Sequence, residues 1–429
     1  FSIPMLLGAD SGEFKFGAKN RSNSKDRKDI RQKWKWEGSN DLFLSQFETG
    51  GDDIIIHNNY NLGSPLDSQG FRDFFNANQG SGMFEATERP DVNFGEPYDA
   101  EESVTGVYFM TNQTYGKLLV TAGLRTEFTN TDYTGTHLVL NDGDFVSAGQ
   151  TTVEKSYTQI FPNLQFRYRV TDNTNIRLAY SRGVSAPQFF DMTPYSITDM
   201  DDEETISGNG DLNPTTSNNF DLLGEHFFKG IGIVSGGLFL KDMDEFIFLS
   251  TGVVSGGEYD GFDFERPVNG AGARLFGYEL TWQQQFTKLA GVLSGFGIYA
   301  NYTHTSSSDI DLGPDSSRTD IDLLPYQMES VSNFALTYQK GGLTARVAVN
   351  FSGKFIEEVG EDNDNDEWRE EFTQWDVSGS YDFSKGFSLF LEFSNIGNRP
   401  RYNYIGIPSR AREHSVNGIS FNTGLRWSL

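Results

Sequence analysis

Along this 429-residue chain, stretches of ten or more residues alternate apolar with polar side chains and are joined by short turns. In KLLVTAGLRTEFTN, Leu118, Val120, Ala122, Leu124 and Phe128 fall on one side, and Thr121, Gly123, Arg125, Glu127 and Thr129 on the other. A period of two places successive side chains on opposite faces of a strand. NLQFRYRV sets Leu164, Phe166, Tyr168 and Val170 against Gln165, Arg167 and Arg169, and TDNT turns the chain into NIRLAYSR. LFGYELTWQQQF, GLTARVAVNF and GFSLFLEFS repeat the pattern, and no segment shows a comparable helical period. The alternation predicts long antiparallel strands from about Gly12 onward, and no long helix.

Strand length and connection length choose the architecture. Strands of soluble sandwiches run to about five or six residues, whereas a tilted membrane-crossing strand needs about 9–11. These are of the longer kind. Short turns at 115–117, 171–174, 229–232, 339–342 and 383–386 alternate with long, acidic, Gly-rich loops. Short turns on one side and long loops on the other are the mark of an outer-membrane barrel. The fold class expected is all-β, an antiparallel transmembrane β-barrel. A secreted multi-domain β protein is the alternative that strand length and loop asymmetry disfavour.

Composition fits that expectation once the barrel is in mind. Mean hydropathy is −0.48 and the formal net charge is −26, as expected when half the strand positions face water and the loops are polar. There is no Cys, so no disulfide and no thiolate metal site. Five His without HExxH spacing leave no catalytic metal set, and no cofactor is expected. No apolar run reaches the roughly 18 residues of a transmembrane helix. The opening FSIPMLLGAD lacks the basic and apolar regions of a signal peptide. The negative balance argues against nucleic acid as a partner. No nucleophile–base pair stands out, so an enzyme is not expected.

Counting gives about fifteen strands, the first near Gly12–Arg21. If the last strand ends on the short-turn side, that first strand runs from outside to inside. An odd count with an external start predicts that further N-terminal strands belong to the barrel, since bacterial single-chain barrels have an even number.

The run FPNLQFRYRVTDNTNIRLAYSRGVSAPQFFDMTPY, then GNGDLNPTTSNNFDLLGEHFF and GGLFLKDMDEFI, resembles the barrel of TonB-dependent outer-membrane transporters. PVNGAGARLFGYELTWQQQF followed by GFGIYANYTHTSSS is similar to later strands of the branch associated with uptake of glycans and other complex nutrients. The resemblance extends from about Gly12 to Leu429 and implies that all of 1–429 is the C-terminal portion of such a barrel. The family's barrel has 22 strands around a globular plug, with a segment that contacts TonB. Plug, TonB-contacting segment and about seven strands would then lie outside this sequence. The closing NTGLRWSL places Gly424, Trp427 and Leu429 on the pattern that the barrel-assembly machinery recognises, although the family usually ends in an aromatic residue.

The resemblance implies active nutrient import in the cell outer membrane, energised through TonB, rather than bond chemistry. Partners implied are TonB through the absent segment, outer-membrane lipid and lipopolysaccharide, the assembly machinery and, as an open option, a surface lipoprotein. Arg125, Glu127, Arg167, Arg169, Glu279 and Arg346 are candidates to face the lumen and the plug; simple solvation of a wet lumen is the plainer role. The loop after Ser185 offers Phe189, Phe190, Asp191 and Tyr195 for a ligand, because aromatic faces beside carboxylates suit sugar rings. Packing of Phe189 and Phe190 against the barrel rim is the ordinary alternative. The segment 38–101, with HNNYNLGS and GFRDFFNANQG, is a second aromatic- and amide-rich loop. The loop Glu357–Glu371 holds nine carboxylates. Asp362, Asp364 and Asp366 copy the start of a calcium loop, but Glu367 and Thr373 stand where Gly and a bidentate Glu are needed, so it is no EF-hand. A solvated, lipopolysaccharide-spacing loop is expected, with loose divalent binding the lesser alternative and no metal site assigned. The cargo expected is a glycan or glycan-like nutrient, with a ferric siderophore as the alternative, since the net negative loops weigh against an anionic chelate. A passive porin and a structural barrel subunit of a larger outer-membrane complex remain alternatives.

Overall fold

Alternating side chains become a wall because each strand can satisfy its backbone only by pairing with the next. The structure, a computed structural model, describes the chain except for residues 52–53, 56–59, 62, 315–317, 385 and 428–429, and the side chains of 54–55, 60–61 and 384. The wall strands in chain order are β1 (Ser2–Pro4), β2 (Ser11–Arg27), β3 (Tyr98–Tyr115), β4 (Leu118–Asn141) and β5 (Asp144–Thr171). Next come β6 (Thr174–Ser185), β7 (Thr215–Phe227), β8 (Gly232–Asp244), β9 (Gly272–Gln285) and β10 (Phe296–Asp311). The last are β11 (Ser330–Lys340), β12 (Leu343–Ser352), β13 (Phe372–Ser384), β14 (Phe387–Ser394) and β15 (Ser420–Trp427). Each pairs antiparallel with the next in sequence.

The register lines up residues across the wall into rows of one polarity. Arg169, Asn175, Glu225, Ser235, Thr281, Asn301, Asn333, Asn350 and Gln374 form one polar row from β5 to β13. On the other face Val234, Trp282, Ala300, Phe334, Val349 and Trp375 form an apolar row. Ile298, Leu336, Val347, Val377, Phe393 and Phe421 form another. Leu124, Leu178, Leu238, Leu280, Leu336 and Leu425 stand exposed on this apolar face. Such a band belongs against hydrocarbon, not water.

Turn chemistry agrees. Gly341 and Gly342 (φ 61° and 81°) close β11 to β12, and Asp142 and Gly143 (φ 51° and 72°) close β4 to β5. Two successive positive φ values match the twist of a tight hairpin.

Four expectations are corrected. First, the described residues hold 27 strands, not about fifteen; the additional ones are short and lie in the loops. They carry too few residues for an alternation to register. Second, the wall is not closed among the described residues: β15 pairs only with β14, and β1 only with β2. Third, the strand through Gly12–Arg21 runs the opposite way. Ser11 pairs with Thr114, beside the short turn after Tyr115, so β2 starts at the short-turn end. The strand running toward that end is β1, too short to be read from the sequence.

Fourth, the segment GFRDFFNANQG is not an open loop but the α-helix α1 (Ser68–Asn78), with Asp67 accepting from the Gly70 amide at its N-terminus. Phe71, Phe74 and Phe75 share one helical face and pack on Phe47, Trp34, Trp36 and Phe84. HNNYNLGS falls largely on residues that the structure does not describe.

The dry core lies at the long-loop end. Phe246, Phe248, Val268, Leu312, Leu323, Ile356 and Val359 make one buried cluster drawn from three different loops. A second cluster joins Tyr98, Ala100, Tyr133, Met192 and Leu212 at the head of β3 and β4.

Candidate functional site at the loop end of the wall

The long loops are tied into a roof. The hairpins Phe355–Glu358/Glu367–Arg369 and Arg401–Ile405/Ala411–Ser415 join through Glu367–Arg369 and Arg401–Ile405 into a four-stranded antiparallel sheet. Arg369 bonds Glu357 (2.6 Å), Asn403 donates to Glu357 (2.6 Å) and Glu367 (3.1 Å), and Arg412 meets Glu367 (3.0 Å). Every member of this charged seam has a counter-group, as burial requires.

Arg318, 9% exposed, locks a third loop onto this sheet. Its Nη1 donates to Asp366 Oδ1 (2.9 Å) and the Gly360 carbonyl (2.8 Å), its Nη2 to Asp366 Oδ2 (3.2 Å) and Asn363 (2.8 Å), and its Nε to Asp320 (2.6 Å). All the N–H donors of a guanidinium are thereby engaged. Asp366, 1% exposed, also accepts from the Gly360 amide at 3.0 Å. The acidic loop is therefore ordered and partly buried instead of a solvated spacer, and among the described residues no acidic group is arranged to hold a metal ion.

The structure brings Phe189, Phe190, Asp191 and Tyr195 together around the short helix α2 (Phe189–Met192). Phe190 stacks on Tyr195 (4.5 Å, 24°) and tilts against Tyr98 (5.8 Å), while Phe189 meets Tyr133 edge-on (5.8 Å). The Arg27 guanidinium lies 5.4 Å from the Phe190 ring centre. Tyr195 is buried and the two Phe side chains are half-buried. Burial pushes the Asp191 carboxyl and the Tyr195 hydroxyl up from their ordinary values. These contacts are those of the packing role, which the sequence reading kept beside a ligand role for the same residues. Phe190→Ala is therefore expected to cost about 2 kcal/mol of local stability, visible as faster protease cleavage between 186 and 214 in the folded barrel.

Arg125, Glu127, Arg167, Arg169, Glu279 and Arg346 all fall on the polar face of the wall. Arg125 pairs with Glu127 at 2.5 Å along one strand. Arg169, Glu279 and Arg346 stand exposed there. Of the terminal residues, Gly424 lets the Phe390 ring lie across the backbone, where a Cβ would come within 2.8 Å of it. Trp427 is 73% exposed on the apolar face, opposite Phe387, and Leu429 lies outside the described residues.

Where wall and roof meet, a cavity of about 170 Å³ is lined by Phe355, Arg369, Phe372, Arg401 and Tyr402. Phe372 pairs with Ser352 at the end of the row Arg167–Arg177–Leu223–Gly237–Glu279–Thr303–Val331, so the cavity opens on the polar side. Arg369 and Arg401 lie 5.5 and 5.8 Å from the Phe355 and Phe372 ring centres. Sequence reasoning missed this cavity because its lining comes from separate loops.

Residues 8–396 match the family described as TonB dependent receptor-like, beta-barrel. The chain belongs to that family, whose members are receptors and transporters of the cell outer membrane, crossed by many strands. The wall is similar to that of the ferric-catecholate import receptor Fiu from Escherichia coli K12 (13% identity, TM-score 0.64), covering 99% of this chain and 53% of that one. It is likewise similar to the siderophore receptor PiuA from Acinetobacter baumannii (14%, 0.60; 99% and 54%). The ferric citrate transporter FecA in its unliganded form is a third (14%, 0.61; 99% and 52%). The chain spans about half the length of these relatives, and at such identities the likeness is one of fold. None of the curated proteins compared matches it by sequence.

Proposed function

We propose that this chain forms the C-terminal wall of a 22-stranded importer, closed by about seven further strands and filled by a plug, that takes a nutrient ligand across the outer membrane with energy delivered through TonB. The observation that supports this reading most directly is the polar face, where exposed charges such as Arg169, Glu279 and Arg346 line one side of a wall whose other side is apolar. A charged plug would supply their counter-groups, whereas a passive pore would leave them to water. The ligand would be met at the loop end, on the cavity of Phe355, Arg369, Phe372, Arg401 and Tyr402, with α2 holding the neighbouring loop in place.

Aromatic faces beside guanidinium donors suit a hydroxyl-rich ring, which supports a glycan or glycan-like cargo. The net charge of −26 weighs against an anionic metal chelate. The second reading is ferric-siderophore uptake, favoured by the ligands named for the structural relatives. The test uses the full-length transporter expressed in cells lacking it. Phe372→Ala with Tyr402→Ala is expected to lower uptake and growth on the glycan at least fivefold, without loss of barrel in the membrane, and removal of TonB should abolish uptake. A defect confined to iron-limited medium would replace the glycan with a siderophore, and full uptake without TonB would overturn active import.

A further inference from the structure

The apolar face of the wall is not uniform: two hollows lie in line along β7, β8 and β9. Gly224 and Gly236 pair directly across β7 and β8, and the missing side chains leave a dent of about 500 Å³ walled by Ile176, Leu222, Leu238, Tyr278 and Leu280. Leu222, Leu238 and Leu280 are exposed on the lipid side, so the dent opens outward. One step nearer the short-turn end, Val234 pairs with Trp282, and both border a second hollow of about 490 Å³. Its apolar wall is completed by Phe228, Phe286 and Leu289, and Lys229 and Lys288 stand at its rim. No carboxylate lines it, on a chain of net charge −26.

The dimensions fit one molecule. Gly236 lies four residues into β8, which begins at Gly232; at about 3.3 Å per residue that is roughly 13 Å along the strand, or about 10 Å of depth for a strand tilted by about 35–45°. Half the hydrocarbon thickness of a bilayer is about 15 Å. A lipid whose headgroup sits at the short-turn rim would therefore lay its acyl chain over the glycine dent within its own leaflet. Short turns face the periplasm in this class of barrel, so the leaflet is the inner one. The connection between β9 and β10, which supplies Leu289, also exposes Val292 and Leu293.

We propose that this track holds one anionic glycerophospholipid of the inner leaflet, its phosphate between Lys229 and Lys288 and one acyl chain laid past Trp282 into the Gly224–Gly236 dent. The occupant is chosen by charge complementarity at the rim and by the length of the track. Neither depends on which cargo the transporter carries.

The test is native mass spectrometry of the full-length transporter in detergent, titrated separately with phosphatidylglycerol and phosphatidylcholine of equal chain length. The unaltered protein is expected to retain one phosphatidylglycerol at least tenfold more strongly than phosphatidylcholine. Lys229→Gln with Lys288→Gln should remove that preference, and Lys117→Gln at another short turn should not. Gly224→Leu should weaken retention of both lipids; a Cβ there meets nothing nearer than the Gly236 carbonyl at 3.9 Å, so folding is spared. Equal retention of the two lipids by the unaltered protein, or unchanged preference in the double lysine variant, would overturn the proposal.

Discussion

Replacing Arg318 with Met is expected to cost about 3–5 kcal/mol of loop-roof stability, the scale of removing one partner from a buried ion pair. The loss is large because Asp366, 1% exposed, would keep its charge with only the Gly360 amide to answer it. Asp366→Asn should cost less, since the amide can still accept from Arg318 and the Gly360 N–H. The double change Arg318→Met with Asp366→Leu should recover much of the loss, because the pair's net worth is the attraction left after desolvating both ions. Limited proteolysis of the membrane-embedded protein reads the effect: sites in 312–329 and 353–371 should open in the single variant and close again in the double. The wall should be untouched, because its ladder hydrogen bonds do not pass through the roof. A single variant as resistant as the unaltered protein would mean that the apolar cluster of Phe246, Val268, Leu312 and Ile356 holds the loops alone.

What could be read from the sequence was whatever repeats locally. A strand of ten or more residues writes its two faces into the order of its side chains, so the wall strands and the common face of Arg125, Arg167, Glu279 and Arg346 were legible before any coordinates. Ser2–Pro4 is too short for a period. From Ser11 to Trp427 the wall has fourteen strands where about fifteen were counted, and that one strand too many reversed the direction assigned to Gly12–Arg21. The helix Ser68–Asn78 did carry a signal, with Asp67 as cap and Phe71, Phe74, Phe75 and Asn78 at helical spacing. Surrounding amides and glycines made it look like a binding loop.

The roof could not be read at all. Arg318 and Asp366 are 48 residues apart, and nothing near either in sequence marks the other. Nine carboxylates in one loop suggest solvation; only the tertiary fold selects Asp366 for burial. The aromatics after Ser185 lie together, but whether a ring faces a ligand or Tyr98 and Tyr133 is decided by residues from β3 and β4.

Phe334→Arg is expected to destabilise the wall by about 2–4 kcal/mol, the cost of a cation on the lipid face near the bilayer midplane. Phe334 lies near the middle of β11, between Ala300 and Val349, in the apolar row that also holds Trp282 and Trp375. A guanidinium there has no water and no counter-charge within its row. The neighbouring change Asn333→Arg makes the comparison decisive, because a strand turns successive side chains to opposite faces. Asn333 sits between Asn301 and Asn350 in the polar row and donates to Asn301 at 2.9 Å. Losing that bond costs about 1 kcal/mol, and the new cation points to the wet side. Urea unfolding of the full-length barrel in lipid vesicles should therefore separate the two variants by about 1–3 kcal/mol, with Phe334→Arg the weaker. Equal destabilisation would mean that neither face meets hydrocarbon at this depth, and the reverse order would exchange the lumen and lipid faces assigned to the whole wall.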